Sequence, residues 1–194
     1  TPEVKDIFIE NGKIAQIGTE ISAPEAEVFD ASGLRAYPGF IDAHSHIGLD
    51  GYGIGFEGLD YNEMGDVVCP QLRGIDGVKA MDPAFRFALE GGVTCVSTGP
   101  GSANVLGGTF TAIKTVGKRV ETMIVKEAAA MKCAFGENPK RCYKDKGNCT
   151  RMTTAFQLRN MLFKAKEYAA KVDAAGDDAS KKPPFDMKME ALLP

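Results

Sequence analysis

No stretch of the 194-residue chain approaches the roughly 18 uninterrupted apolar residues of a membrane-spanning helix, so no such helix is expected. The chain has no excess of positive charge. The 23 lysines and arginines stand against 26 aspartates and glutamates, a formal net charge of −3 that cannot hold a phosphate backbone, and no nucleic-acid partner is expected. The five cysteines include no C-x-x-C pair and are odd in number, which sets aside a disulfide framework or zinc knuckle and fits reduced thiols in a cytoplasmic protein. The opening TPEVKDIFIE has neither the apolar core of a signal peptide nor an initiator methionine, so a trimmed or processed start is expected.

What the chain does have is ordinary globular usage, 44% hydrophobic and 25% charged, enough to bury a core. Ile7, Ile9, Ile14 and Ile17 flank Asn11-Gly12, a pair that tolerates the positive φ of a tight turn, and a hairpin is predicted there. Further strands are expected at 27–30 and 34–37. Residues 1–37 then form a small β segment that cannot stand alone. From Pro38 onward apolar strands alternate with helical stretches, the pattern of a parallel α/β sheet or barrel. Strands are expected at 39–47, 93–97 and 128–135, with Cys95 and Cys133 in the core. Asp82-Pro83 supplies an N-cap and a first-turn proline for a helix over 82–90, and Gly91-Gly92 ends it. Phe156, Met161, Leu162, Ala165 and Tyr168 mark an amphipathic helix over 153–172, followed by a polar linker over 173–184 and a last helix from Phe185. A closed eight-stranded barrel takes about 250 residues, so residues 38–194 read as the first part of a barrel within a larger protein. Its unclosed edge is expected to self-associate or to pair with the missing half.

The two histidines, His44 and His46, are one residue apart, a spacing that about 1% of random placements would give. On a strand, positions i and i+2 share a face, so both imidazoles can address one ion. Neutral imidazole suits zinc, iron, nickel or manganese. Asp42 shares that face and reads as a packing and hydrogen-bonding residue of the motif. Gly51–Gly58 follows as a glycine-rich loop in which Tyr52 and Phe56 are candidate substrate contacts, and Gly99–Asn104 ends the second strand, where backbone N–H groups could meet a carbonyl oxygen or anion. Asn104 is a third substrate-binding candidate. Lys140, Arg141, Lys144, Lys146 and Arg151 make a locally basic stretch, either a solvated loop or a surface for an anionic group.

Residues 38–49, PGFIDAHSHIGL, with the β segment before them, resemble the start of metal-dependent amidohydrolases, especially the imidazolonepropionase-related group. The resemblance continues through GFEGLDYNEM (55–64), GGVTCVSTGPGSANVLGG (91–108), AAMKCAFGENPKR (129–141) and CTRM (149–152). It implies a partial (β/α)8 TIM-type barrel with a small N-terminal β-sandwich-type segment, one or two divalent metals (zinc, with iron or manganese as alternatives), and hydrolysis of a C–N bond in a small-molecule substrate. By that resemblance His44 and His46 ligate the metal. The bridging ligand is then Glu137, at the C-terminal end of its strand, or Lys132 carrying a carbamate. The family's later histidines and its catalytic aspartate have no counterpart in the sequence, so the isolated chain is expected not to turn over substrate. The other readings are a non-catalytic metal-binding or assembly module, and one subunit of a split hydrolase.

Overall fold

A computed structural model describes residues 3–193 and divides into two compact units at the Pro38–Gly39 junction. In the first unit, β1 (Asp6–Glu10) and β2 (Lys13–Gly18) pair antiparallel. Asn11 and Gly12 hold φ of 51° and 71° between them, the geometry for which the hairpin was read from Asn-Gly. The strands expected at 27–30 and 34–37 do not form. Val28, Phe29, Leu34 and Tyr37 are exposed, and no partner strand gives their backbone a ladder.

The second unit is built on a four-stranded sheet in the order β3-β4-β5-β6, with β3 Phe40–Ser45, β4 Val93–Thr98, β5 Leu106–Lys114 and β6 Ile124–Cys133. Only β3 and β4 run parallel, joined through helix α1 (Pro83–Glu90). Asp82 caps that helix as expected, accepting the Ala84 N–H at 2.8 Å. The expectation of an all-parallel sheet is corrected. Pairs β4–β5 and β5–β6 are antiparallel, because residues 99–105 and 115–123 are too short for a parallel crossover, which takes about a dozen residues or more. β5 itself went unread: Gly107-Gly108 breaks the β-branched pattern at its start. Its first half lies beyond the end of β4 and pairs instead with residues 68–73, where Cys69 N–H donates to Leu106 O and Thr109 N–H to Leu72 O.

Two apolar clusters flank the sheet. Ile75, Phe85, Val96, Ile113 and Met123 join α1 to β4 and β5. Val67, Val68, Val105, Leu106, Tyr143, Met161, Ala165 and Tyr168 seat the long helix α4. This helix follows α2 (Val120–Met123) and α3 (Glu137–Cys142) and spans Arg151–Ala175, with Thr150 and Thr153 forming a reciprocal cap, so it absorbs the first residues of the expected linker. Met161, Ala165 and Tyr168 face inward as read; Phe156 and Leu162 are exposed, Phe156 lying about 140° around the helix from Met161. The last helix is a single turn, α5 (Met187–Glu190). No helix among the described residues is long and apolar enough to cross a membrane.

The strand expected at 39–47, an apolar run suited to burial, forms as β3 but is exposed along most of its length, with Phe40 62% and Ile41 72% accessible. It is an outermost strand of the sheet, paired on one side only. Cys95 is buried as expected, whereas Cys133 is exposed: strand alternation sends Lys132 inward and its neighbour outward.

Candidate metal centre

β3 ends at Ser45, and the two histidines straddle that end. Their rings lie edge to face with centroids 5.4 Å apart. His46 Nδ1 is 2.8 Å from the carbonyl oxygen of Gly99. Because a carbonyl can only accept, Nδ1 carries a proton, so that in the neutral ring Nε2 is the nitrogen with the lone pair, the tautomer of a histidine ligand oriented by a backbone partner. His44 is fixed from the other side, its backbone N–H donating to Asp42 Oδ1 at 3.1 Å, the hydrogen-bonding role read for Asp42. Partial desolvation and the nearby Lys132 lower the His44 pKa, which favours the neutral, ligating imidazole.

The third member of the cluster is Lys132. Near its C-terminal end, β6 brings Lys132 Nζ to 3.4 Å from His44 Nε2, with the residue only 8% exposed. Burial lowers its pKa, so the neutral amine is more accessible than in an exposed lysine. Glu137, the preferred bridging candidate, is not brought to the histidines. It sits in the first turn of α3, exposed, with Lys140 at 2.8 Å and Arg151 at 3.8 Å. These two cations also lower its pKa, the Lys140 hydrogen bond most. The chain bends at Ala134–Gly136 before reaching it, so the strand ends at Cys133 and Glu137 leaves the sheet. Among the described residues no three His, Cys, Asp or Glu side chains gather as a metal shell. The gathered set is His44, His46 and the amine of Lys132: two imidazole nitrogens and a nucleophilic nitrogen, which fit part of the coordination of a divalent ion.

The expected substrate contacts are engaged elsewhere or exposed. Tyr52 is held to α1, its N–H donating to Asp82 Oδ2 at 3.0 Å and its ring meeting Phe87 edge to face at 5.3 Å. Phe56 is 86% exposed at the tip of the glycine loop. Asn104 has no exposure at all; its Nδ2 donates to Glu63 O and Asp66 O and lies 2.6 Å from the Tyr143 hydroxyl, so it pins the 63–69 segment to the core. Three of the N–H groups in the Gly99–Asn104 loop are taken: Gly99 donates to Ser45 O, Gly101 to Tyr61 O and Ala103 to Asn62 Oδ1. The basic stretch is also engaged, with Lys146 donating to Met64 O and Gly65 O. Two aromatic residues at the centre escaped the sequence reading. Phe110 meets His44 at 5.2 Å and His46 at 6.2 Å, and Tyr61 stacks on His46 at 5.5 Å. Nothing in their sequence surroundings distinguishes them from core aromatics.

The chain matches no protein-family profile. Its sequence aligns over 96% of its length with the amidohydrolase tasK of Hapsidospora irregularis, at 32% identity and over 22% of that protein. Its fold superposes on a crystal structure of an amidohydrolase from Thermotoga maritima with a TM-score of 0.89 and 43% identity, covering 95% of this chain and 49% of that one. The chain is homologous to amidohydrolases. A dihydroorotase of Solibacter usitatus is a further relative, 48% identical over 52 residues, 27% of this chain and 12% of that protein. This amidohydrolase homologue thus spans about half the length of the solved relative and about a fifth of tasK.

Proposed function

We propose that the chain is the N-terminal portion of a metal-dependent amidohydrolase that hydrolyses an amide or cyclic amide C–N bond in a small molecule. The observation that carries this reading is the meeting of His44, His46 and buried Lys132 at the end of β3, in a chain whose relatives are amidohydrolases. His44 and His46 would hold the metal through Nε2, and Lys132, as a carbamate, is preferred over Glu137 as the further ligand. When bound, a divalent metal supplies Lewis acidity toward a carbonyl and lowers the pKa of water. The chain's own part is positional. The Gly99 carbonyl accepts from His46 Nδ1, and Phe110 and Tyr61 pack against the His44 and His46 rings. The motif resemblance suggests the imidazolonepropionase-related group within the superfamily, and a cytoplasmic location accompanies that reading.

The sheet is proposed to continue beyond β3 and β6, in a longer polypeptide or a partner chain, where the remaining ligands and the general base would reside. The isolated chain is then inactive. Assay of the zinc-loaded chain beside the full product of its gene, on a panel of dihydropyrimidines, hydantoins, N-formyl amines and imidazolones, tests this. Turnover is expected only from the full product, at least about 1,000-fold above buffer, a modest part of what metal hydrolases achieve. Turnover by the 194-residue chain alone would contradict the inactivity, and none from either preparation would contradict the hydrolase reading.

A further inference from the structure

Phe110 is the common neighbour of every member of the centre. Its ring stands edge to face with His44 at 5.2 Å, is tilted against His46 at 6.2 Å, and has Lys132 Nζ 5.8 Å from its centroid. The residue is 5% exposed and sits in the middle of β5, opposite Ala130 of β6 and next to Thr111, which pairs with Thr98 of β4. Room for the ring exists because residue 99 has no side chain. A Cβ there would fall 2.5 Å from Phe110 Cγ and 2.8 Å from Phe110 Cα, inside any real contact distance. The same Gly99 offers its carbonyl to His46 Nδ1. One close backbone approach therefore sets the ring and the tautomer together.

From this we infer that Phe110 is the positioning residue of the centre, and that Gly99 is glycine so that Phe110 can take this place. The quadrupole of an aromatic ring makes edge-to-face contact with an imidazole and face contact with an amine directional, as a flexible aliphatic side chain cannot. The ring thus limits the rotamers of His44 and Lys132 before any ligand arrives. A preorganised pair binds more tightly than one that must be ordered on binding. The expected consequence for metal affinity rests on the proposed function; the expected order of the apo rings does not.

Having only two histidines makes the test direct. The 194-residue chain, Phe110→Leu, Gly99→Ala and a packing control, Val96→Ala, are labelled at histidine and followed by ¹H–¹⁵N ring correlation without metal. Zinc affinity is measured alongside by chelator competition. In the parent, His46 should resonate as the Nδ1–H tautomer, with the His44 ring protons shifted by the neighbouring aromatic ring. Phe110→Leu and Gly99→Ala should each lose that shift and weaken zinc binding by about 10-fold or more, the scale of losing a supporting residue around a metal. Val96, buried in the cluster beside α1, should cost thermal stability and leave both readouts unchanged. The inference is overturned if Phe110→Leu remains folded with the parent's ring resonances and a zinc Kd within about two-fold of it, or if Val96→Ala reproduces its changes. If the parent binds no zinc, the metal reading fails, and the ring resonances still decide the role of Phe110.

Discussion

Lys132→Ala weakens zinc binding by the chain at least about 10–100-fold, whereas Glu137→Ala leaves it within about two-fold. The contrast follows from where the two side chains stand. Lys132 is buried and 3.4 Å from His44 Nε2, so removing it takes away the side chain that, through its amine nitrogen or a carbamate oxygen, would complete the histidine pair. Glu137 is exposed and spends its charge on Lys140 and Arg151, and an exposed ion pair contributes little to anything beyond itself. Bicarbonate separates the two forms of Lys132. If the carbamate is the ligand, the neutral amine attacks carbon dioxide, an N–C bond forms and the amine's proton passes to water. Added bicarbonate then strengthens zinc binding in the parent and has no effect in Lys132→Ala. A carbamate carbon signal from ¹³C-bicarbonate, absent in Lys132→Ala, gives the same answer without titration. Equal losses in Lys132→Ala and Glu137→Ala would count against the assignment.

Asn104→Ala lowers the stability of the sheet unit by about 2–4 kcal/mol, a drop of roughly 10 °C in Tm for a chain of this size. The two hydrogens of Asn104 Nδ2 are shared among Glu63 O at 2.9 Å, Asp66 O at 2.8 Å and the buried Tyr143 hydroxyl. Tyr143 also donates to Glu63 O, so that carbonyl keeps one partner after the substitution. Asp66 O keeps only a long contact from the Cys69 thiol at 3.9 Å and the buried Tyr143 oxygen loses its donor, and an acceptor left bare by burial costs about 1–3 kcal/mol. Asn104 Oδ1 is itself buried without a partner, which offsets part of the loss when the side chain is removed. Asn104→Asp places a carboxylate oxygen against two carbonyls and should be worse than alanine at neutral pH. Thermal unfolding monitored by circular dichroism checks both. A change below about 1 kcal/mol in either would mean that the 63–69 segment is held by its apolar contacts rather than by Asn104.

Where the chain's local chemistry decides geometry, the sequence was sufficient. Asn11-Gly12 turns because both residues accept positive φ, and α1 starts where Asp82 can cap it and Pro83 can open it. His44 and His46 come together, rings 5.4 Å apart, at the end of a strand, where positions two apart share a face. What escaped was set by distant neighbours. β5 reads poorly because Gly107-Gly108 interrupts it, yet Gly108, at φ 103° and with Leu72 O where a Cβ would be, is there for the chain that crosses it. Strand direction depended on connection length rather than on strand composition. Glu137 looked like the end of a strand, but three residues of bend place it on a helix, while Lys132, five positions earlier, takes the inward alternation. Phe110 is legible only in three dimensions, since its partners come from β3 and β6.

The claim that His44 and His46 form a metal centre is tested most directly by elemental analysis of the purified chain beside His44→Ala/His46→Ala, both dialysed gently without chelator. The parent should retain roughly one equivalent of zinc, iron or manganese, and the double variant none, with circular dichroism showing both folded. Metal-free protein in both preparations after zinc supplementation, or equal metal in both, would contradict a centre built on these two histidines.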